Sequence, residues 1–301
     1  MSGSASDTLN SVYEGIDEVQ ASIPRFSVLM AVYHADNPIF FDQSLRSVFA
    51  QTLPPSQVVL VCDGVLPDRL EHVIQKYIDE YSGELQVVRT SSPRNEGLGK
   101  ALALGLSHCK YSLVARMDSD DISMPHRFER QIGYMVQHPE VDMLSCTIVE
   151  FADTPERPIG YRRFKTSHEY LSRQARCRNP INHPAVVFRR ERIQQAGGYI
   201  HFPLLEDYHL IARLLMNGGR LASLRDPLLY FRVAQATYER RRGWHYLRSE
   251  IELQRYFLRI GFVSPSRYLS NILIRIPVRI LPSWGLKRVY RFFFRSTTLE
   301  R

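Results

Sequence analysis

An alternation of short apolar runs with amphipathic segments along the first half of the chain constrains the fold most. The runs read FSVLMAVY from Phe26, QVVLVC from Gln57, LQVVRT from Leu85 and YSLVARM from Tyr111. Each run has the length and composition of a strand that is buried on both faces. The segments between them carry apolar residues at helical spacing. Strands that alternate with helices predict an α/β fold with a mostly parallel central sheet.

The predicted helices of this first half cover residues 40–50, 67–81 and 99–108. A further helix near 124–137 and a strand near 141–150 follow, and the regular alternation then ends. The second half is predicted to hold a helix at 167–176, a strand at 185–189, a helix after Leu205 and a strand at 227–232. In a parallel sheet, ligands bind beyond the carboxyl ends of the strands. Tyr33, Asp63 and Asp118 all fall at such ends.

Composition and charge place the chain among ordinary globular proteins. Hydrophobic residues make up 44% and charged residues 23% of the 301 positions, which excludes a disordered or fibrous chain. Four scattered cysteines form neither a metal knuckle nor a disulfide framework, and the polar N-terminus lacks a secretory signal. We therefore expect a protein of the cytoplasm.

Three carboxylates follow the fourth predicted strand in the sequence Asp118-Ser119-Asp120-Asp121. Such closely spaced acids repel one another unless a cation or solvent separates their charges. A hard divalent ion such as Mg²⁺ or Mn²⁺ takes oxygen ligands and can share its remaining positions with diphosphate oxygens. A solvated acidic turn that caps the helix beginning near Pro125 is the alternative. The preceding buried strand favours the metal site.

Two further segments could contact a nucleotide. Asp63-Gly64 ends the second predicted strand, where a carboxylate could bind a base or ribose, although this pair is also common in plain turns. The stretch from Asn95 to Lys100, NEGLGK, places glycines ahead of a helix and a lysine that could meet phosphate. It lacks the spacing of a Walker loop and could equally be an ordinary helix start.

Two candidates for acid–base or metal chemistry lie in the second half. Glu206-Asp207 opens an amphipathic helix, so one acid could be a general base, or both could simply interact with the helix dipole. His183, followed by Pro184, could be a third metal ligand or a phosphate donor. A lone histidine can also be structural.

Taken together, these segments resemble the family 2 glycosyltransferases, in particular bacterial enzymes that build capsule, exopolysaccharide or O-antigen. The resemblance extends from Phe26 to Arg232 and rests on SVLMAVY, SVFAQTLPPSQVVLVCDG, RNEGLGKALALGL, ARMDSDDISMPHRFERQ, NHPAVVFRR, GGY, LEDYHLIARLLMNGG and LLYFR, in that order. It implies a GT-A fold over residues 25–235, with a nucleotide-binding half at 25–122 and an acceptor half at 123–235. Residues 1–24 would be a flexible extension.

The resemblance also implies roles for individual residues. Tyr33 and Asp63 would contact the nucleobase, and Asn95 and Lys100 would lie near the nucleotide. Asp118 would face the ribose or the metal.

On the catalytic side, Asp120 would bind the metal with Asp118, His183 would lie near the diphosphate and metal, and Asp207 would be the catalytic base. Cys62 departs from the family, which usually has an acid there, and Ala31 replaces a common Pro or Thr.

The implied reaction is an inverting transfer of a hexose or N-acetylhexosamine from a nucleotide-diphosphate sugar, with UDP as the expected nucleotide. The expected cofactor is Mn²⁺ or Mg²⁺, and the expected acceptor is a glycan hydroxyl, linked to undecaprenyl diphosphate. Two other functional classes are possible alternatives. A sugar-nucleotide pyrophosphorylase could share the fold, but the chain lacks its glycine-rich loop. Nucleic-acid binding would use a basic tail without a recognition motif, so no nucleic-acid partner is expected.

Residues 236–301 form a predicted basic, amphipathic helical region. From residue 241 onward, 13 Lys or Arg face three Glu, and the apolar residues alternate with Arg267, Arg275 and Arg279. No uncharged stretch approaches the ~20 residues that span a bilayer. We expect peripheral attachment to an anionic membrane, on the cytoplasmic face of the inner membrane. The alternative is a helical cap that packs on the enzyme domain.

Overall fold

The computed structural model describes residues 24–90, 93–233 and 243–280. Its strands are β1 Phe26–Tyr33, β2 Gln57–Asp63, β3 Leu85–Arg89, β4 Leu113–Met117, β5 Ile122–Ser123, β6 Met143–Phe151, β7 Pro158–Arg162, β8 Val187–Arg189 and β9 Leu221–Arg232. Its α-helices are α1 Pro38–Phe49, α2 Asp68–Glu80, α3 Leu98–His108, α4 Arg127–Gln137, α5 His168–Ala175, α6 Arg190–Gln195, α7 Glu206–Met216, α8 Gly243–Arg259 and α9 Pro265–Ile280. A 3₁₀ turn covers His183–Ala185.

One mixed sheet forms the centre of the molecule, in the order β3-β2-β1-β4-β8-β6-β9-β5, with β7 paired to β6. The β3-β2-β1-β4 portion is parallel, as the sequence predicts. The second half is mixed: β8 runs antiparallel to both β4 and β6, whereas β6 and β9 are parallel. The expected parallel sheet is therefore confirmed for the first half, and the second half adds antiparallel strands.

Helices cover both faces of the sheet because the central strands are apolar on both sides. On β1, Val28 and Met30 pack with Phe41 of α1 and Phe128 of α4. Leu29, on the opposite face, packs with residues of α3, α7 and α8. Alternate residues of a strand point to opposite faces, so a continuous apolar run supplies two cores at once.

Close approach of α3 to the sheet depends on a glycine. A Cβ placed at Gly105 would lie 2.4 Å from Leu29 Cδ1 and 2.6 Å from Val61 Cγ2. An alanine there would force α3 away from β1 and β2. This contact sets the position of the loop that precedes α3 at the carboxyl edge of the sheet.

Three short elements, β5, β7 and α6, were not predicted from the sequence. The stretch predicted as irregular, DTPERPIGYRRF, contains the short strand β7, which carries Pro158 and Gly160 and pairs only with β6. Proline and glycine are tolerated on such an edge strand, and they hide it from a search for periodicity. Helix α6 follows β8 directly and was also not predicted.

The described part of the C-terminal region consists of helices α8 and α9, which pack on the domain. Asn271 Nδ2 donates to the Arg176 carbonyl at 2.8 Å, and Arg275 donates to the Cys177 carbonyl at 2.7 Å. Arg275 also pairs with buried Glu250 at 3.5 Å. The sequence placed Arg275 on a membrane-facing stripe, whereas the structure turns it toward the protein.

The opposite side of α9 is exposed and apolar. Leu269, Leu273 and Ile274 are each more than half exposed. No helix of the described residues is long and apolar enough to cross a membrane. The predicted flexible extension, except Pro24, and the tail beyond Ile280 lie outside the described residues.

Candidate active site

The acidic cluster forms where β4 ends at the carboxyl edge of the parallel strands. One carboxylate oxygen from each of Asp118, Asp120 and Asp121 lies within 4.8 Å of the others. Ser44 Oγ of α1 donates to the Asp118 carbonyl at 2.7 Å, which fixes the start of the loop. The Arg232 amide, at the end of β9, donates to Asp121 Oδ1 at 2.9 Å and fixes its other end.

Asp121 shows most directly that the cluster suits a cation. Its side chain is fully buried, and its Oδ2 atom has no hydrogen-bond partner. Burial raises the pKa of this carboxyl group well above its usual range, and the charges of Asp120 and Asp118 raise it further. A divalent ion would supply the missing partner and offset the repulsion. The donor set, all carboxylate oxygens, fits Mg²⁺ or Mn²⁺.

A buried arginine already holds the first acid of the cluster. The Arg116 guanidinium, almost fully buried on β4, donates to both carboxylate oxygens of Asp118. Burial by itself lowers the pKa of Arg116, but the charges of Asp118, Tyr199 and Asp121 and the hydrogen bonds to Asp118 together outweigh it, so that the net pKa is raised. Sequence analysis missed this residue. Residues two positions apart on a strand share a face. An arginine two positions before an acid was therefore the sequence signal that could have identified this contact.

His183 lies close to this arginine but outside the acidic cluster. Its Nε2 atom is 2.9 Å from the Tyr199 hydroxyl, which joins the HP and GGY segments. Burial, followed by the charge of Arg116, lowers the pKa of His183 well below its usual range, so the ring is neutral. A neutral imidazole can bind a metal. The structure does not bring His183 into the cluster of three acids, and its role as a ligand stays a prediction.

The predicted nucleotide-binding residues form a compact pair of loops after β2 and before α3. Both oxygens of buried Asp63 accept backbone amides, from Glu96 at 2.8 Å and from Gly97 at 2.9 Å. Gly64, with φ of +83°, lies against the backbone of Arg94 and Asn95, where a Cβ would be 2.9 Å away. Asp63 therefore organises the loop that contains Asn95.

Lys100 and the backbone of Tyr33 each contact an acidic side chain. Lys100 Nζ pairs with Glu96 at 3.0 Å and is half exposed. The Tyr33 amide donates to Asp36 Oδ2 at 3.1 Å, and Ser119 Oγ donates to the same oxygen at 2.9 Å. Asp36, which sequence analysis did not single out, thereby ties the end of β1 to the acidic cluster.

The second acidic pair begins α7. Asp207 Oδ2 accepts a hydrogen bond from Asn179 Nδ2 at 2.7 Å, and Oδ1 accepts the Tyr208 amide at 2.7 Å. Burial raises the pKa of Glu206 to about 7, and the charge of Asp207 adds to the increase. The charge of Asp118 acts on Glu206 in the same direction. Asn179 was another residue that sequence analysis missed.

The loop that leads into α7 contacts the first turn of α3, in the half of the chain predicted to bind the nucleotide. A Cβ at Gly99, in the first turn of α3, would lie 2.8 Å from the Ile200 carbonyl oxygen. Only glycine allows this approach without displacing the backbone. The two halves that the sequence assigned to nucleotide and acceptor therefore meet at one edge of the sheet, with acids from both.

These features agree with comparisons to known proteins. The model of the family described as glycosyl transferase family 2 matches residues 27–195. This chain belongs to that family. The family assignment, the GT-A fold and the transferase activity predicted from the sequence are confirmed.

Curated relatives include bacterial glycosyltransferases. The chain is 38% identical to the amylovoran biosynthesis glycosyltransferase AmsE of Erwinia amylovora, over 88% of this chain and 97% of the relative. It is 35% identical to the UDP-Gal:alpha-D-GlcNAc-diphosphoundecaprenol beta-1,3-galactosyltransferase of Escherichia coli, over 90% of this chain and 97% of the relative. These matches therefore extend well beyond the residues that the family model covers.

Solved structures show the same fold at low sequence identity. Residues 1–349 of S. aureus TarS, in complex with UDP-GlcNAc, match with a TM-score of 0.63 and 18% identity, over 89% of this chain and 73% of that one. The mannosyltransferase PcManGT from Pyrobaculum calidifontis, in complex with GDP-Man and Mn²⁺, matches with a TM-score of 0.61 and 18% identity, over 88% and 72%.

Proposed function

We propose that this glycosyltransferase transfers a hexose or N-acetylhexosamine from a UDP-sugar to a hydroxyl group of a lipid-linked glycan, with inversion. The observation that carries the proposal is the cluster of three carboxylates after β4, together with the acidic pair that begins α7. Asp118, Asp120 and Asp121 suit a cation and a diphosphate, and Glu206-Asp207 lies near enough for the charge of Asp118 to act on Glu206. An inverting transfer needs a site for the leaving group and a base for the incoming hydroxyl.

Asp120 would hold the Mn²⁺ or Mg²⁺ ion together with Asp118, and Asp121 would complete the set of carboxylates. His183 is the further candidate. When bound, such an ion stabilises the negative charge that develops on a departing nucleoside diphosphate. Arg116 keeps Asp118 in place beneath this position through its paired hydrogen bonds.

Asp207 would accept the proton of the acceptor hydroxyl. Its carboxylate is held by Asn179 and by the Tyr208 amide, so its orientation is set before substrate arrives. On the donor side, Tyr33 and Asp63 would contact the base, Asn95 and Lys100 would lie near the nucleotide, and Asp118 would face the ribose or metal.

The acceptor and the membrane are proposed from the relatives and from α9. The Escherichia coli relative acts, by its name, on a GlcNAc-diphosphoundecaprenol acceptor and uses UDP-Gal. The exposed apolar face of α9 could rest on the membrane that carries such a lipid. We therefore place the enzyme on the cytoplasmic face of the inner membrane, with an undecaprenyl-diphosphate-linked glycan as its acceptor.

A donor screen tests the reaction. Purified enzyme is incubated with UDP-, GDP- and dTDP-sugars and a lipid-diphosphate acceptor, with Mn²⁺ or with a chelator. We expect one UDP-sugar to be consumed only with the metal, release of UDP rather than pyrophosphate, and an inverted anomeric configuration by NMR. Release of pyrophosphate would identify a pyrophosphorylase instead. Asp120→Ala should weaken Mn²⁺-dependent UDP binding in calorimetry, and unchanged binding would remove Asp120 from the metal site.

Flotation with liposomes tests the membrane proposal. We expect the full-length protein to float with vesicles that contain anionic lipid, and the double substitution Leu273→Gln with Ile274→Gln to reduce the floating fraction. Both side chains are exposed, so the substitutions should leave folding intact. Equal flotation of the two proteins would exclude this face of α9 as the membrane contact.

A further inference from the structure

The side chain of Arg232, at the end of β9, holds the loop that carries the acidic cluster. Its Nε atom donates to the Asp120 carbonyl at 2.9 Å, across 112 positions of sequence. The backbone amide of the same residue donates to Asp121 Oδ1 at 2.9 Å. Strand β5, which follows the cluster directly, pairs with β9. One residue from the second half of the domain therefore contacts two of the three acids, through both its side chain and its backbone.

Two other elements fix the guanidinium group of Arg232. Its Nη2 atom donates to Gln43 Oε1 of α1 at 2.8 Å. Its Cζ atom lies 3.8 Å from the centroid of the Phe40 ring on α1 and 4.6 Å from that of the Phe151 ring on β6. The residue is only 6% exposed. A buried, planar guanidinium that packs on two aromatic rings and donates to fixed acceptors has little freedom to change its orientation.

Helix α1 is thereby linked to two alternate carbonyls of the acidic loop. Ser44 donates directly to the Asp118 carbonyl at 2.7 Å, and Gln43 is linked to the Asp120 carbonyl through Arg232. The carboxylate oxygens of the cluster lie within 4.8 Å of one another, so the ionised acids repel. Attachment of the backbone at both carbonyls limits how far these acids can separate before an ion is bound.

The charge of Arg232, taken alone, opposes the binding of a cation. Arginine stays protonated in proteins, so its guanidinium repels a divalent ion at the neighbouring acids. An electrostatic role and a positioning role therefore predict opposite results when the side chain is removed. Loss of the charge alone would strengthen the binding of a divalent ion, whereas loss of the loop's attachment would weaken it.

We propose that Arg232 is a positioning residue for the divalent cation, which keeps Asp120 and Asp121 in the arrangement that binds one ion. The inference rests on the proposed function, which puts Mn²⁺ or Mg²⁺ at the three acids. Residues that orient the ligands of a metal typically contribute about 10–100-fold to its affinity or to activity. Through β9, the second half of the domain completes a metal site whose acids follow β4 in the first half.

Binding of Mn²⁺ alone to the whole chain, followed by the EPR signal of the free ion, tests this role. Arg232→Met keeps an unbranched side chain that can cover the rings, but it removes the hydrogen bonds and the charge. We expect it to raise the Kd for Mn²⁺ about 10–100-fold. Arg232→Lys keeps the charge and one donor group and should raise the Kd less. Gln43→Ala, at an exposed position, should also raise it less than Arg232→Met.

Arg189→Met is the matched control. Arg189 is a partly buried arginine that likewise holds a loop by donating to carbonyls, those of Met135, His138 and Val141. It pairs with Leu113 at the start of β4, whereas the acidic cluster follows the end of that strand. Arg189→Met should leave the Kd for Mn²⁺ unchanged even if it lowers stability. The Tm of each variant without metal checks that it is folded at the assay temperature.

The outcomes separate this role from the function beneath it. If the wild type binds Mn²⁺ and Arg232→Met binds it equally well or more tightly, the positioning role is overturned and the proposed function stands. An equal increase of the Kd in Arg189→Met would assign the effect to general loss of stability and would also overturn the role. If the wild type does not bind Mn²⁺, both the role and the proposed metal site are overturned. Should Arg232→Met fail to fold, unchanged Kd values in both Arg232→Lys and Gln43→Ala overturn the role.

Discussion

Asn179 donates a hydrogen bond of 2.7 Å to Asp207 Oδ2, across 28 positions of sequence. Its own Oδ1 accepts the Ile181 amide at 3.2 Å, so the direction of the Asn179 amide group is fixed by the backbone that leads into the HP segment. With the Tyr208 amide on Oδ1, the proposed base has a partner on each oxygen. The segment that carries His183 thereby also sets the orientation of the carboxylate on α7.

Removing this amide should change both the rate and its pH dependence. A hydrogen bond to the charged form of a carboxyl group favours that form, so Asn179→Ala should move the acid limb of the kcat/KM profile to higher pH. Loss of a bond to a charged group should also lower kcat by about tenfold or more. Asn217→Ala, which removes an amide that donates to the Arg213 carbonyl at 2.8 Å, is the control. An acid limb that stays in place would show that Asn179 does not orient the base.

Asp207→Asn keeps the shape of the side chain but removes its capacity to accept a proton. Loss of a general base typically lowers the rate about 10²–10⁴-fold, and kcat should fall by this order. Binding of UDP with Mn²⁺, measured by calorimetry, should be unchanged because the proposed role of Asp207 is toward the acceptor. Asp226→Asn, an exposed acid paired with Arg130, should behave as the wild type. Wild-type turnover in Asp207→Asn would exclude it as the base.

Asp121 offers a test of the metal site that does not require activity. Asp121→Asn keeps one side-chain oxygen that can accept the Arg232 amide. An uncharged NH₂ group takes the place of Oδ2, the oxygen that has no hydrogen-bond partner. A ligand that binds only the folded state raises stability by about 2.7 kcal/mol at 100 times its Kd. We expect Mn²⁺ to raise the Tm of the wild type and to raise that of Asp121→Asn much less. Equal shifts would place the ion elsewhere.

The first half of the fold was predictable because its signals are local. Each of the runs that became β1, β2 and β4 is mostly apolar and of strand length, which is typical of strands covered on both faces. The same alternation of strands and helices predicted the positions of the acids at the carboxyl ends of these strands. The antiparallel direction of β8 was not predictable, since it depends on pairing with β4 and β6 rather than on its three residues.

The site residues that could be recognised from the sequence lie in short motifs. The residues that hold them in place by hydrogen bonds could not be recognised in the same way. Asn179 and Asp36 act through contacts that the chain makes only after folding. Resemblance to the family indicated which acids to examine, and the structure adds what holds them. Arg116, unlike Asn179 and Asp36, could have been identified from the sequence, because it stands two residues before Asp118 and residues at this spacing share a face of a strand.

Glu206 should make stability depend on pH in the metal-free protein. Its folded pKa of about 7 lies above the ordinary value of 4.5, so protonated Glu206 is favoured by folding. Its contribution is fully present below about pH 4.5 and is lost as pH rises through about 7. The loss is on the order of 3 kcal/mol, from 1.36 kcal/mol for each pKa unit. We expect Glu206→Gln to flatten this part of the profile in urea unfolding measured with a chelator present.

Glu252→Gln provides the comparison, because Glu252 is a half-exposed acid that pairs with Arg248 on α8. It should leave the slope between pH 4.5 and 7 as in the wild type. Adding Mn²⁺ should reduce the slope in the wild type, since a cation at the acidic cluster would offset the charge of Asp118 that acts on Glu206. A wild-type profile that rises with pH over this range would contradict the burial of Glu206 as a protonated acid.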